Sequence, residues 1–347
     1  MPRIRIYLLT YRRPKLLPRA LASLRAQTFT DWVCEVHNDD PDDDGPRRLL
    51  EESGDARCVL RQHPRNLGPV ATFNLVHRAA PEPFFTILED DNWWEPAFLE
   101  TMLAVLEAHP TAEVATANMR FWRERPDGSW HTDGDTVWPR LDRPHLSIAW
   151  PQLLQLDSPL HSNGAMLVRA VADEHLQVPA TTPFDAMENL RERAFRYPIV
   201  LVPEPLANFA LTLQTSRSGH LQSWVQTQVL MGAAFLKHVP LTAAEQANLW
   251  SALRANVPPA TSGLFFASWH ERIPGFLGHA TWSDWLRFLR GCIRRPRIAL
   301  AALRARHRRP ETWTFFDRAT AAACARPQGP ADVPPNQLAV RLDLARR

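Results

Sequence analysis

Strand-like and helix-like segments alternate through the first part of this chain, and that order restricts the fold more than any other feature. The strand-like segments lie at 3–10, 32–38, 57–62 and 84–88. The helix-like segments, in which apolar residues recur every third or fourth position, lie just after Pro14, at 47–52 and at 70–79. Such alternation predicts a mostly parallel sheet with helices on both faces, whose ligands bind outside the carboxyl ends of the strands.

The composition is that of a globular protein that can form one large domain or two smaller ones. The 347 residues are 45% hydrophobic and carry a net charge of only +3, which excludes a disordered chain. No apolar run reaches membrane-spanning length, and Arg3 and Arg5 interrupt any signal peptide, so a cytoplasmic protein is expected. The four cysteines are isolated from one another, which argues against a zinc site or a disulfide framework.

An acidic cluster at 39–44 follows the second strand directly. Asp39, nearest the strand end, is placed to accept a hydrogen bond from a ring N–H of a nucleotide base. A polar turn that provides a helix N-cap is an equally good interpretation of this cluster.

A second acidic cluster, Glu89, Asp90 and Asp91, ends the fourth strand. Mg²⁺ or Mn²⁺ binds jointly to one or two carboxylates and to substrate phosphates, so this arrangement predicts a metal-diphosphate site. Capping of the helix that begins near Pro96 would need only one of these acids.

Several motifs, in order and spacing, resemble family 2 glycosyltransferases of the GT-A fold. They lie at 9–14, 23–32, 38–40, 66–68, 73–74 and 88–92. The resemblance covers about residues 1–210 and implies a Rossmann-like nucleotide-diphospho-sugar transferase fold with a helical C-terminal extension. It implies a domain at 1–215, with nucleotide-sugar binding in 1–120 and the acceptor side in 121–215, followed by a mainly helical region at 216–347.

The resemblance also implies roles for individual residues. Asp91 is expected to bind the metal, and Asp90 or Glu89 to face the ribose or a metal-bound water. The nucleotide sugar is expected to contact Thr10, Tyr11, Arg13, Asp39, Asn66, Glu89, Asp90 and Trp93. Asn38 stands where the family often has Asp, so uridine is the favoured base rather than an assured one.

A transferase that acts by single displacement also needs a carboxylate to take the acceptor proton. The family places it after a strand resembling 162–169, where Glu188 and Asp185 are the candidates, although the usual Glu-Asp pair is missing. Glu188 is slightly favoured, because Asp185 with Glu188 three positions later also has the form of a capping box. His161 and Asn163 are expected on the acceptor or diphosphate side, although an isolated histidine is more often an ordinary hydrogen-bonding residue.

The segment 287–309 contains nine arginines and no acidic residue. Peripheral contact with the inner face of a membrane is one interpretation, and a solvated helical face packed on the catalytic domain is the favoured one. Nucleic-acid binding is not expected, because no recognised motif accompanies the tract.

The sequence therefore predicts a metal-dependent inverting glycosyltransferase that uses Mn²⁺ or Mg²⁺. It would move a sugar from a nucleotide-diphosphate sugar, with UDP favoured, to a hydroxyl of a glycan, a lipid-linked molecule or a small molecule. The alternatives are a non-catalytic nucleotide- or sugar-binding module and a sugar nucleotidyltransferase. The last is disfavoured because the first strand lacks the Gly-rich, Lys-containing loop that follows it in those enzymes.

Overall fold

One mixed sheet of ten strands lies at the centre of the described part of the chain. The computed structural model describes residues 2–78, 80–138, 143–148, 162–170, 176–182, 184–195, 199–213, 221–256, 260–271, 273, 275–304 and 310–325.

The first half of the chain follows the predicted alternation closely. Its elements are β1 Ile4–Thr10, α1 Leu17–Arg25, β2 Trp32–Asn38, α2 Gly45–Ser53, β3 Cys58–Gln62, α3 Pro69–Val76, β4 Phe84–Glu89, β5 Trp93–Trp94, α4 Phe98–Ala108 and β6 Val114–Glu124. Strands β1 to β4 pair in parallel. Ile4, Leu8, Val36 and Leu88 are buried, as expected for parallel strands covered on both faces. The predicted fold class is confirmed.

The second half of the sheet contains elements that the sequence only partly indicated. They are β7 Trp130–His131, β8 Leu146–Ile148, a 3₁₀ turn at Asn163–Ala165, β9 Met166–Arg169, α5 Phe184–Ala194 and β10 Ile199–Leu211. The strand order is β3-β2-β1-β4-β9-β6-β10-β5, and the short strands β7 and β8 pair with β6 and β10 beside this path. Strand β9 runs antiparallel to its neighbours β4 and β6. Helix α5 carries both candidate bases, Glu188 and Asp185.

Strand β10 was missed because Pro203 and Pro205 argue against a strand inside a sheet. The register between β10 and β6 shifts on both sides of Pro205. Such shifts mark β-bulges, where extra residues of one strand have no partner in the regular hydrogen-bond ladder. The Asn118 amide donates to the Pro203 carbonyl (3.1 Å), so the irregular backbone keeps a partner.

The described residues after 220 form helices. These are α6 Leu221–His238, α7 Ala243–Asn256, α8 Ala260–Glu271, a 3₁₀ turn at Phe276–His279, α9 Trp282–Arg294, α10 Pro296–Arg304 and α11 Pro310–Ala325. Helix α11 packs on α5 and α6, which connects the C-terminal helices to the element that carries Glu188. No described helix combines the length and apolarity needed to cross a bilayer. The domain division near residue 215 stays a prediction.

Candidate active site

The carboxyl ends of β1, β2 and β4 are joined by backbone hydrogen bonds just beyond the last strand residues. Asp39 N–H donates to the Thr10 carbonyl (3.0 Å), and Asp90 N–H donates to the Leu9 carbonyl (3.1 Å). The two acidic clusters therefore lie on either side of the residues that follow β1, at the sheet edge where ligands of such folds bind.

Asp39 is buried, and its carboxylate holds the loop that precedes α3. Oδ1 accepts from the Leu67 N–H (2.8 Å) and lies 3.1 Å from His63 Nδ1, while Oδ2 accepts from the Gly68 N–H (3.0 Å). Gly68 has φ +79°, a conformation that favours glycine. Exposed Asn66 is carried by the same loop. Asp39 thus connects the predicted base-binding region with Asn66.

The alternative of a polar turn before α2 is supported in part. The N-cap residue of α2 is Asp44, whose side chain makes no capping hydrogen bond, but Asp43 Oδ1 accepts from the N–H of Gly45 (2.8 Å), the first residue of the helix. Asp40 instead accepts from Arg12 Nε (2.6 Å), and this ion pair holds the pKa of Asp40 below its usual range. The cluster is therefore connected to the loop after β1.

The loop after β1 is fixed on both sides. Arg12 has φ +55°, an uncommon left-handed conformation for a non-glycine residue, and its guanidinium binds Asp40. On the other side, the Tyr11 N–H donates to Asp90 Oδ2 (3.2 Å). The Tyr11 side chain remains exposed and Arg13 is half-buried, so both predicted donor-binding residues are accessible at this edge.

Glu89 is mostly buried at the end of β4. Its Oε2 accepts from Asn92 Nδ2 (2.6 Å) and from Ser162 Oγ (3.1 Å). Burial, followed by the negative charges of Glu188 and Asp91, raises the pKa of Glu89 to about 8. Glu188, on α5, therefore lies near the acidic end of β4.

Asp90 is turned toward β1 rather than toward solvent. Burial and then the charge of Asp91 raise its pKa to about 7, while hydrogen bonds from the Thr10 side chain and the Tyr11 N–H act in the opposite direction. Asp91 is half-buried, and its charge acts on both neighbouring carboxyl groups.

Three further candidates were expected on the acceptor side, namely Asp185, Asn163 and His161. Asp185 lies in the first turn of α5 and Asn163 in the 3₁₀ turn before β9, but only their backbones belong to the described part. His161 lies outside the described residues. The backbone at Gly164 passes so close to the site that a Cβ there would lie 2.8 Å from Glu89 Oε2.

A buried arginine that the sequence analysis did not single out fixes α5. Arg191 lies three residues after Glu188, and its Nε donates to the Leu176 carbonyl (3.1 Å). Its second terminal nitrogen donates to Asn74 Oδ1 (3.1 Å). The Asn74 side chain also exchanges two hydrogen bonds with the Val178 backbone, at 2.7 and 3.0 Å. Burial lowers the pKa of Arg191 to about 9, and the charge of Glu188 partly offsets that effect.

A second missed arginine lies beside Asp91. The Arg19 guanidinium carbon lies 3.8 Å from the centre of the Trp93 ring and 4.0 Å from that of Trp130. A terminal nitrogen of Arg19 donates to the Asp91 carbonyl (2.8 Å). Trp93 is thus half-buried against a cation. Trp94 instead lies in the core, where its Nε1 donates to the Gly164 carbonyl (2.6 Å).

The donor atoms at this edge are the hard carboxylate oxygens that Mg²⁺ and Mn²⁺ prefer. Within the described ranges, no group of three or more His, Cys, Asp or Glu side chains is arranged to hold a metal ion. A cation that completes its shell with diphosphate oxygens and water needs only one or two carboxylates. Half-buried Asp91 fits that requirement as a single carboxylate ligand.

Two solved structures of the GT-A type share the fold of this chain. The Staphylococcus aureus TarS 1–349 structure in complex with UDP-GlcNAc has a TM-score of 0.54 and 14% identity, over 83% of this chain and 79% of that chain. Mannosyltransferase PcManGT from Pyrobaculum calidifontis, in complex with GDP-Man and Mn²⁺, has a TM-score of 0.50 and 16% identity, over 93% and 86%.

The sequence supports the same class directly. Residues 6–175 match the family described as glycosyl transferase family 2. Residues 6–175 therefore form a family 2 glycosyltransferase domain, as the motifs indicated. No curated protein is significantly similar to the chain in sequence.

Proposed function

We propose that the protein transfers a sugar from a nucleotide-diphosphate sugar, with UDP favoured, to a hydroxyl group, with inversion at the anomeric carbon. The observation that carries this proposal is the proximity of Glu188 to the acidic end of β4, since the charges of Glu188 and Asp91 both act on Glu89. This proximity supports our assignment of a proton acceptor and a metal-binding carboxylate to one edge of the sheet.

The donor side is assigned to the loops after β1, β2 and β3. Hydrogen bonds through Asp39 and Asp90 hold these loops and the adjacent strand ends together. The residues assigned to the donor there are Thr10, Tyr11, Arg13, Asp39, Asn66 and Asp90. The structural neighbours were solved in complex with UDP, UDP-GlcNAc and GDP-Man, and these complexes support a nucleotide-sugar donor with either base.

Asp91 is the carboxylate that we assign to Mn²⁺ or Mg²⁺. Asp90 is bonded to Thr10 and Tyr11, and Glu89 is bonded to Asn92 and Ser162. A divalent cation supplies positive charge that stabilises the departing diphosphate. The Mn²⁺ named with PcManGT supports this assignment.

We assign to the Glu188 carboxylate the role of general base, which takes the proton of the acceptor hydroxyl. Asp185 is the alternative. The acceptor oxygen attacks the anomeric carbon, and the bond from that carbon to the diphosphate oxygen breaks. The hydroxyl proton passes to the carboxylate as the oxygen bonds to carbon, which is general-base catalysis. Attack opposite the leaving group inverts the anomeric configuration.

The acceptor side is assigned to 121–215, with His161 and Asn163 as candidate contacts on the acceptor or diphosphate side. Trp93 is assigned to the nucleotide sugar. The proposed acceptor is a glycan, a lipid-linked molecule or a small molecule, in glycan, polysaccharide or glycoconjugate biosynthesis. Membrane contact through 287–309 is a separate prediction that the transfer reaction does not require.

The first test is binding and slow hydrolysis of UDP-, dTDP- and GDP-sugars, with and without Mn²⁺ or Mg²⁺. Wild type is compared with Asp91→Asn and with a matched control, Asp133→Asn, which changes an exposed aspartate in a loop. We expect metal-dependent donor binding that Asp91→Asn loses and Asp133→Asn keeps. Absence of binding to every donor would contradict the proposal, and a product with retained anomeric configuration would contradict its mechanism.

A further inference from the structure

One face of α9 exposes large apolar side chains along its whole length. Trp282 and Ile293 are 75% and 80% exposed, and Leu286 and Leu289 about half exposed. Residues at this spacing lie on the same side of a helix. These four residues are called the α9 apolar stripe. Contiguous apolar surface of this kind usually marks an interaction site.

The opposite side of α9 is already fixed to the protein, so the stripe is not turned toward its core. Buried Asp284 forms a capping box with Thr281 and accepts from Trp250 Nε1 on α7 (2.9 Å). Phe288 stacks on Phe265 of α8 with ring centres 4.5 Å apart. Helix α9 is therefore held in place while the stripe remains outside.

Positive charge surrounds the stripe. Six exposed arginines lie in this region: Arg287, Arg290, Arg294, Arg295, Arg297 and Arg304. No acidic residue occurs from 285 to 304. Helix α10 adds exposed apolar side chains at Ile298, Leu300 and Leu303. Apolar side chains among arginines match a surface whose interior is apolar and whose headgroups are negative.

We propose that α9 and α10 dock on an anionic lipid bilayer, with the α9 apolar stripe in the headgroup region and the arginines on the lipid phosphates. A second copy of the chain fits this face less well, because two such surfaces would bring their arginines together without any acidic partner. The docking requires neither the transfer reaction nor its metal, so it can be tested independently of the proposed function.

The test measures co-sedimentation of the full chain with two kinds of vesicle, one of phosphatidylcholine alone and one that also contains phosphatidylglycerol. Arg290→Gln/Arg294→Gln should weaken binding to the anionic vesicles roughly 25-fold, since each arginine contributes about a fivefold effect at such a surface. Trp282→Ser/Ile293→Ser should weaken binding at least about tenfold, because buried apolar area is lost.

Matched controls change the same residue types elsewhere. Arg47→Gln/Arg48→Gln removes two exposed arginines from α2, and Val59→Ser removes an exposed apolar side chain from β3. Both should bind vesicles as wild type does. Lack of binding to anionic vesicles, or equal losses in the control variants, would overturn the proposal. Self-association that Trp282→Ser/Ile293→Ser abolishes, without any vesicle binding, would assign the face to a second copy.

Discussion

Glu188 on α5 raises the pKa of Glu89 at the end of β4, although the two residues are far apart in the sequence. The contribution requires that the carboxyl groups lie near each other, since charge effects of this kind decline with distance and solvent screening. The fold thus brings a carboxylate from the second half of the domain to the acidic cluster of the first half. Four of the predictions below concern this edge of the sheet and the residues that hold it.

The first prediction distinguishes the two candidate bases. Glu188→Gln should lower kcat by about 10²- to 10⁴-fold, the usual contribution of a general base, while donor affinity stays near wild type. Asp185→Asn should change kcat far less, because Asp185 lies in the first turn of α5, where a carboxylate stabilises the helix through its dipole. Steady-state kinetics with circular dichroism as a folding control make the comparison. The opposite ranking would move the assignment to Asp185.

The second prediction concerns Arg191 as a positioning residue for Glu188. Arg191→Lys cannot reproduce both hydrogen bonds, to the Leu176 carbonyl and to Asn74, so α5 should shift. We expect kcat to fall about tenfold with unchanged donor affinity, because small displacements of a catalytic group are costly. Asn74→Ala combined with Arg191→Lys should be less than additive, as for contacting residues. Strict additivity would show that the two residues act separately.

The third prediction uses the close approach of Gly164 to Glu89. A Cβ at Gly164 would lie 2.8 Å from Glu89 Oε2, so Gly164→Ala must displace that carboxyl group. The free energy of unfolding should fall by about 1–3 kcal/mol, a typical cost of overpacking, and kcat should fall with it. Gly278→Ala is the matched control, since nothing lies within 4 Å of its Cβ position. An unaffected Gly164→Ala enzyme would show that Glu89 can move without consequence.

The fourth prediction concerns Arg19, which joins the Trp93 and Trp130 rings to the Asp91 carbonyl. Arg19→Met should weaken metal-dependent donor binding about tenfold, because the Asp91 backbone loses a fixed partner. Arg57→Met is a matched control, since Arg57 also covers an indole, with its guanidinium carbon 3.8 Å from the Trp32 ring centre. It should affect stability alone. Equal loss of donor binding in both variants would argue against a local role for Arg19.

The sequence predicted the elements whose physical signal is local. Strand β2 was predicted with its observed ends, and the acidic residues after β2 and β4 were recognised because carboxylates directly follow apolar strands. Strand β10 was missed because its two prolines need a bulge that only pairing with β6 reveals. Arg19 and Arg191 were missed for a related reason. Arginines usually lie at the surface, and no local pattern shows that tertiary contacts bury Arg191 and half-bury Arg19.

The last prediction concerns the buried pair His37 and His63, whose Nδ1 and Nε2 atoms lie 3.0 Å apart. Burial and then the charge of His63 lower the pKa of His37 to about 4, with Arg61 acting in the same direction and Glu35 in the opposite one. An unfolded chain protonates His37 near pH 6.5. As the pH falls from about 6.5 to about 4, the unfolded state therefore binds a proton that the native state does not, and stability is lost.

The size of this effect follows from the shift in pKa, and it corresponds to about 3 kcal/mol of unfolding free energy. Urea unfolding at several pH values between those limits measures it. The buried carboxyl groups of Glu89 and Asp90 act in the opposite direction over this range, because their raised pKa values let the native state bind protons first. The effect of His37 is therefore isolated as the difference in unfolding free energy between wild type and His37→Gln, which should change by about 3 kcal/mol between pH 6.5 and pH 4. The same difference for His131→Gln, a change at a half-exposed histidine, should stay constant with pH. A constant difference for His37→Gln would show that the buried histidine pair is not a source of the pH dependence.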